Sequence, residues 1–211
     1  MGLGWKDWSR SDVIYGIVVP LIVVLVIVGL SLVNSFLMSG GRSAMSGSSG
    51  IVIGIISAIE ELVLTVAIPL LLGLVWNRWA GGASGFLMGS IWSMWYAVKY
   101  GLYSGSFRGV GSVNLESTLL GWVLSAMLIG YMAGALNKHS ENFRRMLVVG
   151  MGTTAVGGFF LLGMFQLSPS NVIPFDFSGF ALNVATRIAA GAIVPIIAKV
   201  FMWYGVALHK T

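Results

Sequence analysis

Long runs of apolar residues, separated by short polar segments, dominate this sequence. Each run is long enough to cross a bilayer, because a membrane-spanning helix needs about 20 predominantly apolar residues. Their approximate bounds are 13–38, 51–76, 83–103, 117–136, 146–167 and 179–208. Strands of a membrane barrel need only about 10 residues of alternating polarity, so the run length predicts helices. The pattern therefore predicts an all-α, polytopic membrane protein, in which residues 1–211 form a single bundle of six transmembrane helices.

The polar segments between the runs are short and differ in composition. They are a Gly/Ser-rich loop at 39–50, a short turn at 77–82, a polar stretch at 104–116, the charged segment NKHSENFRR at 137–145 and a Pro-containing loop at 168–178. Glycine, proline and serine clusters of this kind are typical of loops. None of these segments is long enough for a separate soluble domain.

The distribution of lysine and arginine predicts the orientation of the bundle. If the N-terminus is cytoplasmic, the inner segments hold most of the basic residues, namely Lys6, Arg10, Arg78, Lys138, Arg144, Arg145 and Lys210. The outer loops then hold only Arg42 and Arg108, with Lys99 near the outer end of the third run. Cytoplasmic loops carry the excess of positive charge in membrane proteins. This asymmetry predicts a multi-pass protein of the cell membrane with both termini inside.

Composition supports a membrane protein and excludes several function classes. Apolar residues make up 57% of the chain, charged residues 9%, and the mean hydropathy is +0.91. A typical soluble domain has about 25% charged residues. The sequence pI is near 9.8, but the basic residues are scattered singly, which indicates contact with anionic lipid and no nucleic-acid partner.

The residue inventory predicts no enzyme activity, no cofactor and no metal site. The chain has no cysteine, and its two histidines, His139 and His209, lie outside the predicted spans, so thiolate sites and haem ligation are not expected. No phosphate-binding loop or dinucleotide fingerprint is present. Ser84 lies in a GASG segment that resembles the serine motif of rhomboid proteases. The sixth run has no histidine to act as its base, so we expect Ser84 to be a packing residue.

Small residues recur every four positions at three places in or beside the apolar runs. These repeats are Gly81, Gly85 and Gly89; Ala126, Gly130 and Gly134; and Ala181, Ala185 and Ala189. Small residues on one helical face let two helices approach closely inside a membrane. We interpret the repeats as packing faces within the chain. The alternative is a docking groove for another membrane subunit.

Two glutamates and one arginine fall inside the predicted spans. Glu60 and Glu61 lie about 13 to 15 Å, and Arg187 about 12 Å, from the outer ends of their runs at the usual helical rise. A charge at the centre of a span costs about 2.5 to 3.5 kcal/mol on insertion scales. We therefore expect one glutamate to pair with Arg187, directly or through a ligand. Alternatively, the span begins at Leu62 and both glutamates lie in water.

Other polar and aromatic residues are expected in the outer halves of the third and sixth spans. Trp92, Trp95, Tyr96 and Lys99 lie in the outer half of the third run, and Asn183 precedes Arg187 by one helical turn. Aromatic walls with a few polar groups are typical of small-molecule sites. The predicted substrate-binding residues are Glu60, Glu61, Trp92, Trp95, Tyr96, Lys99, Asn183 and Arg187.

Part of the chain resembles the S components of energy-coupling factor transporters. The resemblance is carried by IPLLLGLVWNRWAGGASGFLMGSIWS at 68–93, GYMAGALNKHSENFRRM at 130–146 and ALNVATRIAAGAIVPIIAKV at 181–200. It implies six helices with both termini inside and a site that binds a vitamin or metal ion from outside. It also implies a partner membrane subunit and two ATPases. The AxxxA motif that this family carries on its first helix is not present in residues 13–38.

The expected function is the capture and translocation of a small molecule or ion from the outer side of the membrane. The alternative is a non-catalytic structural or assembly subunit of a larger membrane complex, which the small-residue faces would also suit. A third possibility is a small channel or exchanger with the two glutamates as its proton or cation site.

Overall fold

The computed structural model describes residues 14–18, 21–22, 47–103, 117–167 and 177–203. Within these ranges the chain is helical and contains no strand, so the prediction of an all-α protein is confirmed there. The α-helices are α1 (Gly47–Leu62), α2 (Ile68–Val75), α3 (Arg78–Tyr103), α4 (Ser117–Asn137), α5 (Phe143–Gln166) and α6 (Phe177–Trp203). Two five-residue π-helical turns cover Ile14–Val18 and Val63–Ala67. The first predicted span, 13–38, otherwise lies outside the described residues.

Four helical segments of the described part are long and apolar enough to cross a membrane. They are Ile55–Val75, Leu119–Asn137, Phe143–Gln166 and Phe177–Trp203. The helix α3, which is rich in glycine, serine and tryptophan, is not among them. Large apolar side chains are exposed on these helices, such as Ile193 and Val148, as expected for surfaces that face lipid. The described part therefore has the character of a membrane protein.

Four helices begin earlier than the apolar runs predict. The helix α3 begins at Arg78 and not at residue 83, because the side-chain oxygen of Asn77 accepts a hydrogen bond of 2.7 Å from the backbone N–H of Ala80. In α5, Asn142 caps the N-terminus by accepting a hydrogen bond of 3.1 Å from the backbone of Arg144. Asparagine is a preferred N-cap. The apolar run marks the membrane-embedded part of a helix, whereas the cap marks its start. The helices α1 and α6 also begin inside the predicted loops, at Gly47 and Phe177.

A π-helical turn joins α1 to α2, so that the chain stays helical from Gly47 to Val75. Pro69 has no backbone N–H, so the carbonyl of Thr65 has no helical donor four residues later, and the helix widens before the proline. The Thr65 hydroxyl donates a hydrogen bond of 2.8 Å to the backbone carbonyl of Glu61. Leu64, Thr65 and Val66 are all buried, so the turn lies inside the bundle directly after Glu61.

Glycine backbones bring α2, α3 and α4 into direct contact. A methyl group placed on Gly130 would lie 2.0 Å from the carbonyl oxygen of Gly81, and one placed on Gly73 would lie 2.3 Å from the carbonyl oxygen of Gly130. Gly85 and Gly89 meet α4 in the same way. The two small-residue faces of the third and fourth runs thus pack against each other within the chain, and α3 and α4 form the most extensive helix pair.

The helices α5 and α6 also cross at a glycine contact. A methyl group on Gly150 would lie 2.3 Å from the carbonyl oxygen of Gly191. Because Pro195 lies four residues after Gly191, that carbonyl has no intrahelical donor, and it faces α5 at the crossing. The hydroxyl of Ser125 on α4 donates a hydrogen bond of 2.8 Å to the carbonyl of Gly157, which ties α4 to α5. These contacts hold α6 against the bundle and fix the position of Arg187.

Candidate functional site

An ion pair between Glu61 and Arg187 lies at the centre of the candidate site. Nη2 of Arg187 on α6 donates to Oε1 of Glu61 on α1, and Nε donates a hydrogen bond of 3.1 Å to the side-chain oxygen of Asn183. The side chain of Arg187 is 1% exposed and that of Glu61 is 24% exposed. The sequence predicts that a glutamate pairs with Arg187 either directly or through a ligand, and the structure has a direct pair. The glutamate in this contact is Glu61 and not Glu60.

Trp122 on α4 is a second partner of Glu61. Its indole Nε1 donates a hydrogen bond of 3.2 Å to Oε1 of Glu61, the same oxygen that accepts from Arg187. Since Trp122 is 5% exposed, the carboxylate of Glu61 is held between two buried donors. Glu61 is therefore not a fully solvated side chain, and only Leu62 separates it from the π turn, in which Leu64, Thr65 and Val66 are buried.

An aromatic cluster, formed by Trp92, Tyr96, Trp122 and Phe165, adjoins the ion pair. The ring centroids of Tyr96 and Trp122 are 4.5 Å apart, those of Trp122 and Phe165 are 5.4 Å apart, and those of Trp92 and Tyr96 are 6.5 Å apart. Trp92 is 2% exposed. Trp95, which is partly buried, packs against the same group. The cluster supplies an apolar wall from α3, α4 and α5 beside the charged pair.

The structure brings together most of the residues that the sequence predicts for the site. Trp92 and Tyr96 of α3 belong to the aromatic cluster, and Trp95 packs against it. Asn183 accepts a hydrogen bond from Arg187. Glu60 is partly buried beside Glu61 on α1. The backbone of Lys99 lies in α3, but its side chain lies outside the described residues.

Sequence reasoning misses Trp122 and Phe165. Both lie near the predicted outer ends of their runs, Trp122 near the start of the fourth run and Phe165 near the end of the fifth. At the usual helical rise they lie about 3 to 8 Å from those ends, which is shallower than the depth expected for Glu61 and Arg187. Matching of depth along the runs therefore does not single them out, and their contacts with the site follow from the packing of the helices.

Two hydrogen-bond donors at the site are buried without a partner in the described part of the chain. They are Nη1 of Arg187 and Nε1 of Trp92; the third such atom, Oδ1 of Asn137, lies at the far end of α4. A buried polar group without a hydrogen bond costs about 1 to 3 kcal/mol. Because both free groups at the site are donors, the arrangement is suited to an acceptor from outside the chain.

A metal centre is not found within residues 47–103, 117–167 and 177–203, where no group of three or more histidine, cysteine, aspartate or glutamate side chains could hold an ion. The polar groups of the site include the carboxylates of Glu60 and Glu61, one guanidinium, one amide, the hydroxyl of Tyr96 and indole N–H groups. This set can bind and orient a small molecule by hydrogen bonds and apolar contact.

Comparisons of the chain with known protein families, with curated proteins and with solved structures find no match.

Proposed function

We propose that this chain is a multi-pass protein of the cell membrane that binds a small solute from the outer side and takes part in its translocation. The observation that carries the proposal is Arg187, which is buried and has an unpartnered Nη1 beside the aromatic cluster. Natural sites for small molecules combine apolar and aromatic walls with a few convergent polar groups. Intramembrane ionisable residues are rare, and they commonly mark a solute or ion pathway.

The proposed topology has six spans with both termini inside. In that orientation Glu61, Trp122 and Arg187 all belong to the outer halves of their helices, because the second, fourth and sixth runs each begin at the outer surface. The lysines and arginines of the loops support this orientation. A solute would then reach the site from outside, and the chain itself would carry out no covalent chemistry.

Another membrane subunit is the proposed partner in translocation. In the described part, Ala181, Ala185 and Ala189 are exposed on one face of α6. Small-residue faces allow close packing between membrane helices. Such an arrangement would be similar to that of energy-coupling factor transporters, in which an S component binds the solute and a partner subunit with ATPases drives its release.

Native mass spectrometry of the gently purified protein tests the proposal. We expect a small molecule to copurify with the wild-type chain and to be lost from Arg187→Ala. The matched control is Lys199→Ala, which also removes one positive charge from α6. Lys199 donates to the backbone carbonyl of Glu141, a contact outside the site. Retention of the same molecule by Arg187→Ala would reject Arg187 as a binding residue.

The same experiment distinguishes an assembly subunit, and a flux assay distinguishes a channel or exchanger. A chain without a ligand, held at fixed stoichiometry in a larger complex, would identify a structural or assembly subunit; the exposed alanine face of α6 is the observation that favours this role. Ion flux through liposomes that contain this chain alone would instead identify a channel or exchanger.

A further inference from the structure

The charge of Arg187 is already compensated within the chain. Its guanidinium pairs with the carboxylate of Glu61, and the neighbouring Glu60 adds a second partly buried carboxylate on α1. An anionic solute would therefore have to displace Glu61 from Arg187 or bring a further negative charge to a balanced pair. Both are unfavourable where water is scarce, because charges interact more strongly at a low effective dielectric constant.

The two groups at the site that still lack a hydrogen-bond partner are both donors. Each needs an acceptor, and that acceptor does not have to carry a charge. Nη1 of Arg187 carries two N–H donors, and Nε1 of Trp92 carries one. Arg187 and Trp92 are 1% and 2% exposed, so bulk water has little access to them. The two residues are connected through Tyr96, Trp122 and Glu61 in one continuous set of contacts. A neutral carbonyl oxygen can accept from either donor without disturbing the ion pair.

We propose that the solute is uncharged at this site and offers carbonyl-type oxygen acceptors on an apolar or aromatic frame. Its oxygen accepts from Nη1 of Arg187, and its frame packs against the aromatic cluster. Glu61 is the group that excludes anions, because its negative charge compensates the positive charge of Arg187. This inference rests on the proposed solute-binding function and specifies the chemical class that the site accepts.

A pair of isosteric probes tests this selectivity. Benzamide and benzoate have the same ring and nearly the same shape, but at pH 7 benzamide is neutral and benzoate is an anion. Ligand-observed NMR titration of the full chain in detergent micelles, with empty micelles subtracted, measures both affinities. We expect the wild-type chain to bind benzamide at least about tenfold more tightly than benzoate, because Glu61 repels the carboxylate.

A charge variant provides the second measurement. Glu61→Gln keeps the shape of the side chain but leaves Arg187 uncompensated, so the ratio of benzoate to benzamide affinity should rise by about tenfold or more. Glu141→Gln, which removes one negative charge from the exposed loop between α4 and α5, is the matched control and should leave the ratio unchanged. The wild-type measurement stands by itself if Glu61→Gln does not fold.

The outcomes separate this inference from the proposed function. A wild-type preference for benzoate, equal affinities, or no binding of either probe would overturn the inference. Any of these results is compatible with a solute-binding protein, because that function is tested by the molecule that copurifies with the wild-type chain and its loss from Arg187→Ala. If the ratio in Glu61→Gln does not change, Glu61 is not the group that excludes anions, and the inference is again overturned.

Discussion

At the scale of single residues, Glu61 and Arg187 share one ion pair but differ in their access to water. Arg187 is 1% exposed, whereas Glu61 is 24% exposed. Removing one partner of a buried pair leaves the other charge uncompensated, at a cost of about 3 to 5 kcal/mol. A change at Glu61 leaves the charge of the buried Arg187 uncompensated. A change at Arg187 leaves the charge of Glu61 uncompensated, and water has more access to Glu61.

We therefore expect Glu61→Gln to lower the thermal unfolding midpoint in detergent more than Arg187→Met does. The double variant Glu61→Gln/Arg187→Met removes both charges, so its midpoint should be closer to that of the wild type than that of Glu61→Gln alone. Equal midpoints for the two single variants would contradict the expectation that the more deeply buried charge carries the larger cost.

Two buried tryptophans of the aromatic cluster differ in hydrogen bonding and so provide a matched pair. Trp92→Phe and Trp122→Phe remove the same volume from similarly buried positions, but only Trp122 donates to Glu61. Trp122→Phe should reduce the free energy of unfolding by about 1 to 3 kcal/mol more than Trp92→Phe, because only Trp122→Phe removes a hydrogen-bond donor from the partly buried carboxylate of Glu61. Thermal unfolding with no added ligand measures the difference; a larger loss in Trp92→Phe would contradict the assigned hydrogen bond.

At the scale of helices, packing depends on positions where no side chain fits. Gly130 meets backbone atoms of α3, whereas a methyl group placed on Gly152 of α5 would have no neighbour within 4 Å in the described part. Backbone cannot move aside as the end of a flexible side chain can. The two glycines therefore respond in opposite directions to the same substitution.

Gly130→Ala should force α3 and α4 apart and lower the unfolding midpoint, at a cost of about 1 to 3 kcal/mol or more for overpacking. Gly152→Ala, the matched control, should be neutral or stabilising by up to about 1 kcal/mol, because alanine has the higher helix propensity. Thermal unfolding of both variants in the same detergent checks this. A stable Gly130→Ala protein would reject the close contact of α3 with α4.

The sequence predicts the helices well and their partners incompletely. The apolar runs predict α3 to α6. Hydropathy does not predict the caps at Asn77 and Asn142, because each cap depends on a single side-chain hydrogen bond. Four-residue spacing identifies small faces, but not that Gly73 of α2 also meets Gly130. Matched depth predicts the pairing of Arg187 with a glutamate, whereas the choice of Glu61 depends on rotation about the helix axis, which depth does not specify.

At the scale of the whole molecule, the distribution of basic residues predicts which loops face the cytoplasm. The chain has no cysteine, so a single introduced thiol reports on one position without background labelling. Glu141→Cys, in the exposed loop between α4 and α5, should react with a membrane-impermeant maleimide only after the cells are permeabilised. Ser106→Cys, in the predicted outer loop, should react in intact cells. The reverse labelling pattern would show that both termini lie outside.

The glycine contact of α2, α3 and α4 also constrains how this sequence can change during evolution. Apolar positions that face lipid can exchange leucine, isoleucine, valine and phenylalanine freely, so overall identity between relatives falls quickly. Gly73, Gly81 and Gly130 cannot accept a side chain where backbone atoms already lie 2.0 to 2.3 Å from the position of its first carbon. Distant relatives of this chain should therefore be recognisable by this glycine spacing, together with an acidic residue twelve positions before the first glycine.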